Sequence, residues 1–184
     1  MNKKWIPSCF LTLLLAFSSV FAVEKEVGKM ILARGEVSAF ESATDIERTL
    51  KRRSVIYEKD EIRVGKDSRA QMRMIDGAVI SLNPDSVFLI DQYVFNEKSK
   101  EDKAVLKLIS GGLRTLTGSI GKTDHNAYSM VTPLQTIGIR GTDYGALLFL
   151  HGAWMGAWAG VIEIASKNCP NIGAIRLGDG EPYN

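Results

Sequence analysis

Cysteine and histidine are scarce in this sequence. The 184 residues include two cysteines, Cys9 and Cys169, and two histidines, His125 and His151. So few thiols exclude a framework of several disulfides, and so few thiol and imidazole groups leave little material for a multi-ligand metal site. We therefore expect no metal and no cofactor. We expect Cys169 to be a buried, unreactive thiol, with an intermolecular disulfide as the alternative.

An excess of charge of one sign is also missing. Lys and Arg number 23 against 21 Asp and Glu, and removal of a leader that contains Lys3 and Lys4 makes the two numbers equal. A neutral chain lacks the concentrated positive field that unspecific binding to nucleic-acid phosphates requires. Nucleic acid is therefore not an expected partner, although the composition, 45% hydrophobic and 24% charged, is that of a folded globular protein.

Signatures of catalysis are missing as well. The chain has no Gly-x-Ser-x-Gly elbow, and neither histidine stands in a known catalytic context. Residues 118–123 imitate the end of a phosphate-binding loop but lack its first glycine at the required spacing. We predict that the protein is not an enzyme and has no catalytic residues.

The N-terminus has the pattern of a secretory leader. Lys3 and Lys4 precede an apolar run over residues 10–17, and Val20-Phe21-Ala22 matches the small-x-Ala cleavage site. An uncleaved anchor is the alternative, but about 20 consecutive apolar residues are needed to span a bilayer, and polar residues and Pro7 interrupt this stretch. We predict a signal peptide at residues 1–22, a mature domain at 23–184, and a periplasmic or secreted location.

The mature chain has the pattern of an all-β domain. Short runs of β-branched, aliphatic and aromatic residues alternate with polar ones from Val27 to Leu177, and Gly, Asn, Asp and Pro separate the runs. We predict a single domain built as an antiparallel β-sandwich or a curled sheet, with β-solenoid-like stacking as the alternative. The mostly apolar run Val87 to Val94 suggests a strand buried on both faces.

Asp76-Gly77 marks the best-specified hairpin, over residues 70–82. A two-residue loop would mix polar and apolar side chains on each face, because a one-residue slip moves every side chain to the other face. A three-residue loop keeps like faces together and places Gly77 at the left-handed position, where glycine carries no Cβ penalty. The predicted partners are Met74 with Ala78, Met72 with Ile80, and Ala70 with Leu82.

Residues 144–162 form a stretch without formal charge, with glycines at 152, 156 and 160. The spacing permits a membrane helix with a small-residue face. Gly145 and His151-Gly152 interrupt the run, however, and residues 161–165 alternate as a strand does. We favour strands. Trp154 and Trp158 pack within the domain or, as exposed aromatic side chains, stack on sugars.

Three stretches together make residues 35–183 resemble a FecR-like domain, the periplasmic β domain named for iron-uptake regulators. The first is an acidic-then-glycine opening over residues 60–70. The second is the hairpin at Asp76-Gly77, followed by Leu82 and Pro84. The third and most specific is residues 131–144, in which Thr132-Pro133 precedes a short apolar strand and Arg140-Gly141-Thr142.

The Arg-Gly-Thr motif lies where one apolar strand gives way to another. We expect Gly141 to permit a bulge and Arg140 to clamp the bend by bridging backbone carbonyls or a carboxylate. The alternative makes Arg140 and Thr142 a pair that contacts a ligand. We favour the structural role for the whole set of motif residues, Asp76, Gly77, Pro133, Arg140, Gly141 and Thr142.

The resemblance implies a signalling role that we transfer only in part. Regulators of this family combine a cytoplasmic segment that touches a sigma factor, a membrane helix and the outer β domain. Here the domain follows a cleavable leader directly, so we expect no cytoplasmic part. We predict an exported, non-catalytic binding or signalling module whose partner is an envelope protein, a peptide or a polysaccharide. The alternatives are a self-assembling structural component tethered to the membrane through residues 144–162 and, more remotely, a hydrolytic enzyme.

Overall fold

The prediction of an all-β fold is confirmed in a computed structural model of the chain. The structure describes residues 25–41, 45–96, 101–122, 124–168, 175–178 and 182–183. A single 3₁₀ turn, His125–Ala127, is the helical element among these residues. The strands are β1 (Glu26–Arg34), β2 (Val37–Glu41), β3 (Ile46–Thr49), β4 (Val55–Tyr57), β5 (Asp60–Val64), β6 (Arg69–Met74), β7 (Val79–Leu82), β8 (Val87–Val94), β9 (Lys103–Ser110), β10 (Gly112–Leu116), β11 (Tyr128–Val131), β12 (Gln135–Phe149), β13 (Gly152–Ser166), β14 (Ile175–Leu177) and β15 (Pro182–Tyr183).

These strands belong to one open sheet. Its order is β3-β2-β5-β8-β9-β11-β12-β10-β7-β6-β1-β4, and β13 pairs with β12, β14 and β15 beside this path. Among the described pairs, β9 and β11 are parallel and the others antiparallel. This pairing differs from the parallel stacking of a β-solenoid.

The sheet curls around one core. Strands from both halves of the order contribute side chains to the same buried cluster, which requires the two halves to face each other. Strand β8 has one buried face and one partly exposed face: Phe88, Ile90 and Tyr93 are buried, while Val87 and Leu89 are half-buried. The prediction that β8 is buried on both faces is therefore wrong.

The β6–β7 hairpin confirms the register predicted from its faces. Met72 pairs with Ile80 and Ala70 with Leu82, and the Met74 amide donates to the Ala78 carbonyl at 2.9 Å. Gly77 has a φ of 88°, as a three-residue loop with a left-handed glycine requires.

Residues 144–162 lie in the long hairpin of β12 and β13, which confirms the strand interpretation. The two strands pair from Gln135–Ser166 to Phe149–Gly152. This stretch therefore does not form the membrane helix that the tether alternative requires. In the ranges that the structure describes, no helix has the length and apolarity that a membrane span needs.

The two end strands of the sheet, β3 and β4, are linked by a side chain. Arg48 of β3 donates to both carboxylate oxygens of Asp60, at 2.6 and 2.7 Å, and reaches the Val55 carbonyl of β4 at 3.5 Å. Its guanidinium lies 4.9 Å from the ring centroid of Tyr57. The buried carboxylate of Asp60 also accepts the Tyr57 amide at 2.8 Å.

Candidate functional site

The Thr132-Pro133 segment forms a tight turn before β12. The Thr132 hydroxyl accepts the amides of Leu134 at 3.3 Å and Gln135 at 2.9 Å, and the Gln135 carbonyl accepts the Thr132 amide at 2.8 Å. Lys167 donates from Nζ to the Thr132 carbonyl at 2.6 Å. Pro133 is exposed on the outside of the turn. The polar groups of Thr132 are thus engaged within the fold.

The Arg-Gly-Thr motif lies at a β-bulge. Arg140 pairs with Val161 and Asp143 with Ala159, so Gly141 and Thr142 stand opposite Gly160 alone. Both glycines have positive φ, 58° at Gly141 and 77° at Gly160. A bulge of this kind bends the strand and increases its twist.

Thr117 of the neighbouring loop holds this bulge. Its hydroxyl accepts the Thr142 amide and donates to the Thr142 carbonyl, both at 2.9 Å, and its own amide donates to that carbonyl at 3.0 Å. Thr142 is 2% exposed, so its side chain is not presented to solvent. The side chain of Arg140 lies outside the described part of the structure, and its role as a clamp stays a prediction.

Asp76 belongs to the core of the fold. Its Oδ1 accepts the Tyr93 hydroxyl at 2.6 Å and the Ala78 amide at 3.0 Å, and its Oδ2 accepts the Ile120 amide at 3.1 Å. Burial, together with the adjacent Asp76 carboxylate, raises the pKa of Tyr93 well above its ordinary value. The sequence pattern identified Asp76 as a turn residue but missed its partner Tyr93, because a tyrosine within the apolar run of β8 looks like any other core residue.

Two further tyrosines meet in the core. The hydroxyls of Tyr128 and Tyr144 lie 2.6 Å apart, and their rings are nearly perpendicular, with centroids 6.5 Å apart. Burial raises the pKa of both groups, and at Tyr128 the neighbouring Tyr144 adds to the rise. These phenols stay protonated near neutral pH and act as core hydrogen-bonding groups.

An apolar groove, the tip groove, opens at the end of the β12–β13 hairpin. Its volume is about 500 Å³. Two side chains beside it are unusually exposed, Phe149 at 58% and Leu150 at 90%. The lining residues are Ile109, Ser110, Gly111, Pro133, Leu134, Leu148, Phe149, Leu150, His151 and Gly152. Of the predicted motif residues, Pro133 lines this groove.

The outer face of β10, β12 and β13 carries the two predicted stacking residues. The ring centroids of Trp154 and Trp158 are 5.9 Å apart with an interplanar angle of 55°. Arg114 stacks on Trp158 at 4.6 Å and donates to both carboxylate oxygens of Asp143 at 2.9 and 2.6 Å. We call the surface formed by Gln71, Ser81, Arg114, Asp143, Trp154 and Trp158 the indole face.

The two histidines do not meet in a metal-binding cluster. His125 has Nδ1 2.9 Å from the Gly121 carbonyl, and His151 lines the tip groove. Within the described ranges, no group of three or more His, Cys, Asp or Glu side chains is placed to hold a metal ion. Cys169 and the leader at residues 1–22 lie outside the described residues.

The structure defines a small all-β domain with an apolar groove and an aromatic surface. The FecR protein family model matches residues 60–151, half of the chain. The chain therefore belongs to the FecR protein family. The match begins at Asp60 and includes the Asp76-Gly77 hairpin, the Arg-Gly-Thr motif and the hairpin tip.

Two solved structures share this fold. Both are of a proposed anti-sigma factor from Parabacteroides distasonis, and they match with TM-scores of 0.51 and 0.52 at 17% and 18% identity. Each match covers 66% of this chain and 52% of the other, so the chain spans about half the length of those proteins. Comparison with curated proteins gave no match.

Proposed function

We propose that this protein is an exported, non-catalytic regulatory module of the bacterial cell envelope that acts by binding another envelope protein. Membership in the FecR family supports a signalling role, since proteins of this family are regulators rather than enzymes. The charged and apolar regions of residues 1–22, followed by Val20-Phe21-Ala22, support export. The two solved structures, described as a proposed anti-sigma factor, are consistent with a role in protein-based signalling.

The observation that carries the proposal is the exposure of Phe149 and Leu150 beside the tip groove. Full burial of one such side chain contributes about 1.5–3 kcal/mol, so two of them can anchor a protein partner. The groove offers an apolar lining and few polar groups, which suits apolar side chains of a protein better than a sugar or an anion. We place the partner's contact at this groove.

Photo-crosslinking in intact cells tests both parts of the proposal. A crosslinking amino acid at position 151 should capture one envelope protein, and the double substitution Phe149→Ser and Leu150→Ser should reduce that product about tenfold or more. The substitution Ile46→Ser is the matched control, because Ile46 is also exposed, at 53%, but lies on β3 away from the groove. It should leave the yield unchanged.

Two results would contradict the proposal. Equal capture by the double variant and the wild-type chain would show that the partner does not bind at the tip groove. If the mass of the captured product still included residues 1–22, the leader would not be cleaved and the argument for complete export would fail.

A further inference from the structure

A row of directly paired residues crosses five strands on the indole face. Gln71 pairs with Ser81, Ser81 with Arg114, Arg114 with Gly145, and Gly145 with Gly156. At about 4.8 Å between neighbouring strands, the row is roughly 19 Å long. The neighbouring positions on each strand point into the core, so the row forms a track across the outer face of the sheet, with its two glycines covered by indoles.

The two glycines at one end of this track let both indoles lie against the backbone. A Cβ on Gly145 would lie 2.9 Å from the indole of Trp158, and a Cβ on Gly156 would lie 2.9 Å from that of Trp154. Both rings therefore rest directly on backbone. Covering glycine is a known structural use of aromatic side chains in sheets, yet Trp158 remains 50% exposed.

The other end of the track is polar, and two exposed arginines of β6, Arg69 and Arg73, flank Gln71 on the same face. The Gln71 amide donates to the Ser81 hydroxyl at 2.9 Å, and Arg114 is neutralised by its bidentate contact with Asp143. Donors and acceptors thus lie side by side next to aromatic rings. They border a cleft of about 260 Å³ between Gln71 and Asp143, below the roughly 300–1,000 Å³ of pockets that enclose a small molecule.

We propose that the indole face binds a glycan strand. Sugar rings present apolar C–H faces that stack on indoles and hydroxyls that both donate and accept, which matches this combination of groups. The row itself offers a phosphate-rich polymer no unpaired cation, because its one charged residue, Arg114, is ion-paired with Asp143. A peptide that adds a strand would require a free sheet edge, whereas the row is paired on both sides, with Leu32 opposite Gln71 and Pro182 opposite Gly156.

This glycan surface is separate from the tip groove. The assignment of an envelope glycan as the source rests on the proposed export, but the chemistry of the face does not. The tip groove and the indole face can therefore fail independently.

Indole fluorescence provides the test. The sequence has three tryptophans, and in the full chain carrying Trp5→Phe the remaining two, Trp154 and Trp158, both lie on this face. Titration with oligomers of N-acetylglucosamine and of glucose, and sedimentation with isolated peptidoglycan sacculi, should show saturable binding. Binding to sacculi and N-acetylglucosamine oligomers would identify the cell-wall source, and binding only to glucose oligomers would identify an exported polysaccharide.

Substitutions separate binding from a structural role of the indoles. Gln71→Ala touches neither glycine nor indole and should weaken binding about tenfold, the effect of one lost hydrogen bond, with an unchanged melting temperature. Trp158→Ala should abolish binding, and Leu150→Ser in the tip groove should bind like the parent chain. The proposal is overturned if the folded parent binds none of the three probes, or if Gln71→Ala binds with the parent's affinity.

Discussion

Single buried polar residues connect parts of the fold that the sequence separates. Asp76 accepts the hydroxyl of Tyr93 and the amide of Ile120, 17 and 44 residues away along the chain. Tyr128 and Tyr144 join β11 to β12 in the same core. An alternating pattern places such tyrosines inward but does not say which partner each hydroxyl will find.

The buried tyrosines predict loss of stability at alkaline pH. Burial raises the pKa values of Tyr93, Tyr128 and Tyr144, so above about pH 10 the unfolded chain releases phenol protons that the folded chain retains. The folded state then binds more protons, and the free energy of unfolding falls as pH rises, by up to about 1.4 kcal/mol per pH unit for each tyrosine. Below about pH 10 this contribution is fully present.

Urea unfolding at a series of pH values measures this slope. Tyr128→Phe should reduce the slope above about pH 10 by roughly 1.4 kcal/mol per pH unit, and adding Tyr144→Phe should double the reduction. Lysine deprotonation changes the slope equally in the parent chain and the variants, so it cancels when their slopes are compared. Parallel slopes for all three chains would show that these phenols ionise within the folded protein.

The β12–β13 hairpin depends on a local backbone conformation at its bulge. Gly141 has a φ of 58° and no atom within 4 Å of a Cβ built on it. Gly138, three residues earlier on the same strand, has an ordinary φ, and its built Cβ lies 3.9 Å from the Glu163 carbonyl, an ordinary contact. The two positions differ in backbone conformation rather than in available space.

Alanine at these two glycines should therefore have different effects. Gly141→Ala should lower the free energy of unfolding by about 1–2 kcal/mol, the cost of a left-handed conformation for a residue with a Cβ. Gly138→Ala should change it by less than about 0.5 kcal/mol. Thermal and urea unfolding of both variants measure the difference, and an equal loss in the two would mean that the bulge does not require glycine.

Strand β8 shows where an apolar pattern misleads. Its run of apolar residues predicted burial on both faces, but Asp91 and Gln92 interrupt it, and Asp91 forms ion pairs with Lys59 and Lys107 at 2.6 and 2.7 Å. The hydrogen bond from Lys107 has the largest effect on the pKa of Asp91 and lowers it, and the hydrogen bond from Lys59 lowers it further. The outer face of β8 is thus half-buried by its neighbours and partly solvated.

The two end strands of the whole sheet, β3 and β4, are joined by the short connection 50–54 and by the side chain of Arg48. Arg48 and Arg114 both donate to the two oxygens of one carboxylate and stack on an aromatic ring; Arg48 does so from Nη2 alone and Arg114 from Nε and Nη2. They differ in burial. The Asp60 side chain is 2% exposed and that of Asp143 is 17%, while Arg48 is 30% and Arg114 is 57% exposed.

Substitution of the two arginines should separate these environments. Arg48→Ala leaves the buried carboxylate of Asp60 without its ion pair and removes the side-chain contact between β3 and β4, so it should lower the free energy of unfolding by about 3 kcal/mol. Arg114→Ala removes an exposed pair and should cost less than about 1 kcal/mol. Urea unfolding of both variants measures the two losses, and similar values would contradict the greater contribution of the buried Arg48–Asp60 pair.

Local pattern was sufficient for the strand content, the register of the β6–β7 hairpin and the family resemblance. These depend on side-chain alternation and turn-forming residues within about a dozen positions, and that information is present in each local segment of the sequence. The contact of Arg48 with the opposite end of the sheet, the hold of Thr117 on the Gly141 bulge and the five-strand track were visible only in the folded molecule. The partners of Arg48 are only 7 to 12 residues away, but the alternating pattern does not say that β3 and β4 end at opposite edges of the sheet. The Thr117 contact and the five-strand track join strands distant in sequence, and which strands become neighbours is set by the packing of the entire core rather than by any one segment.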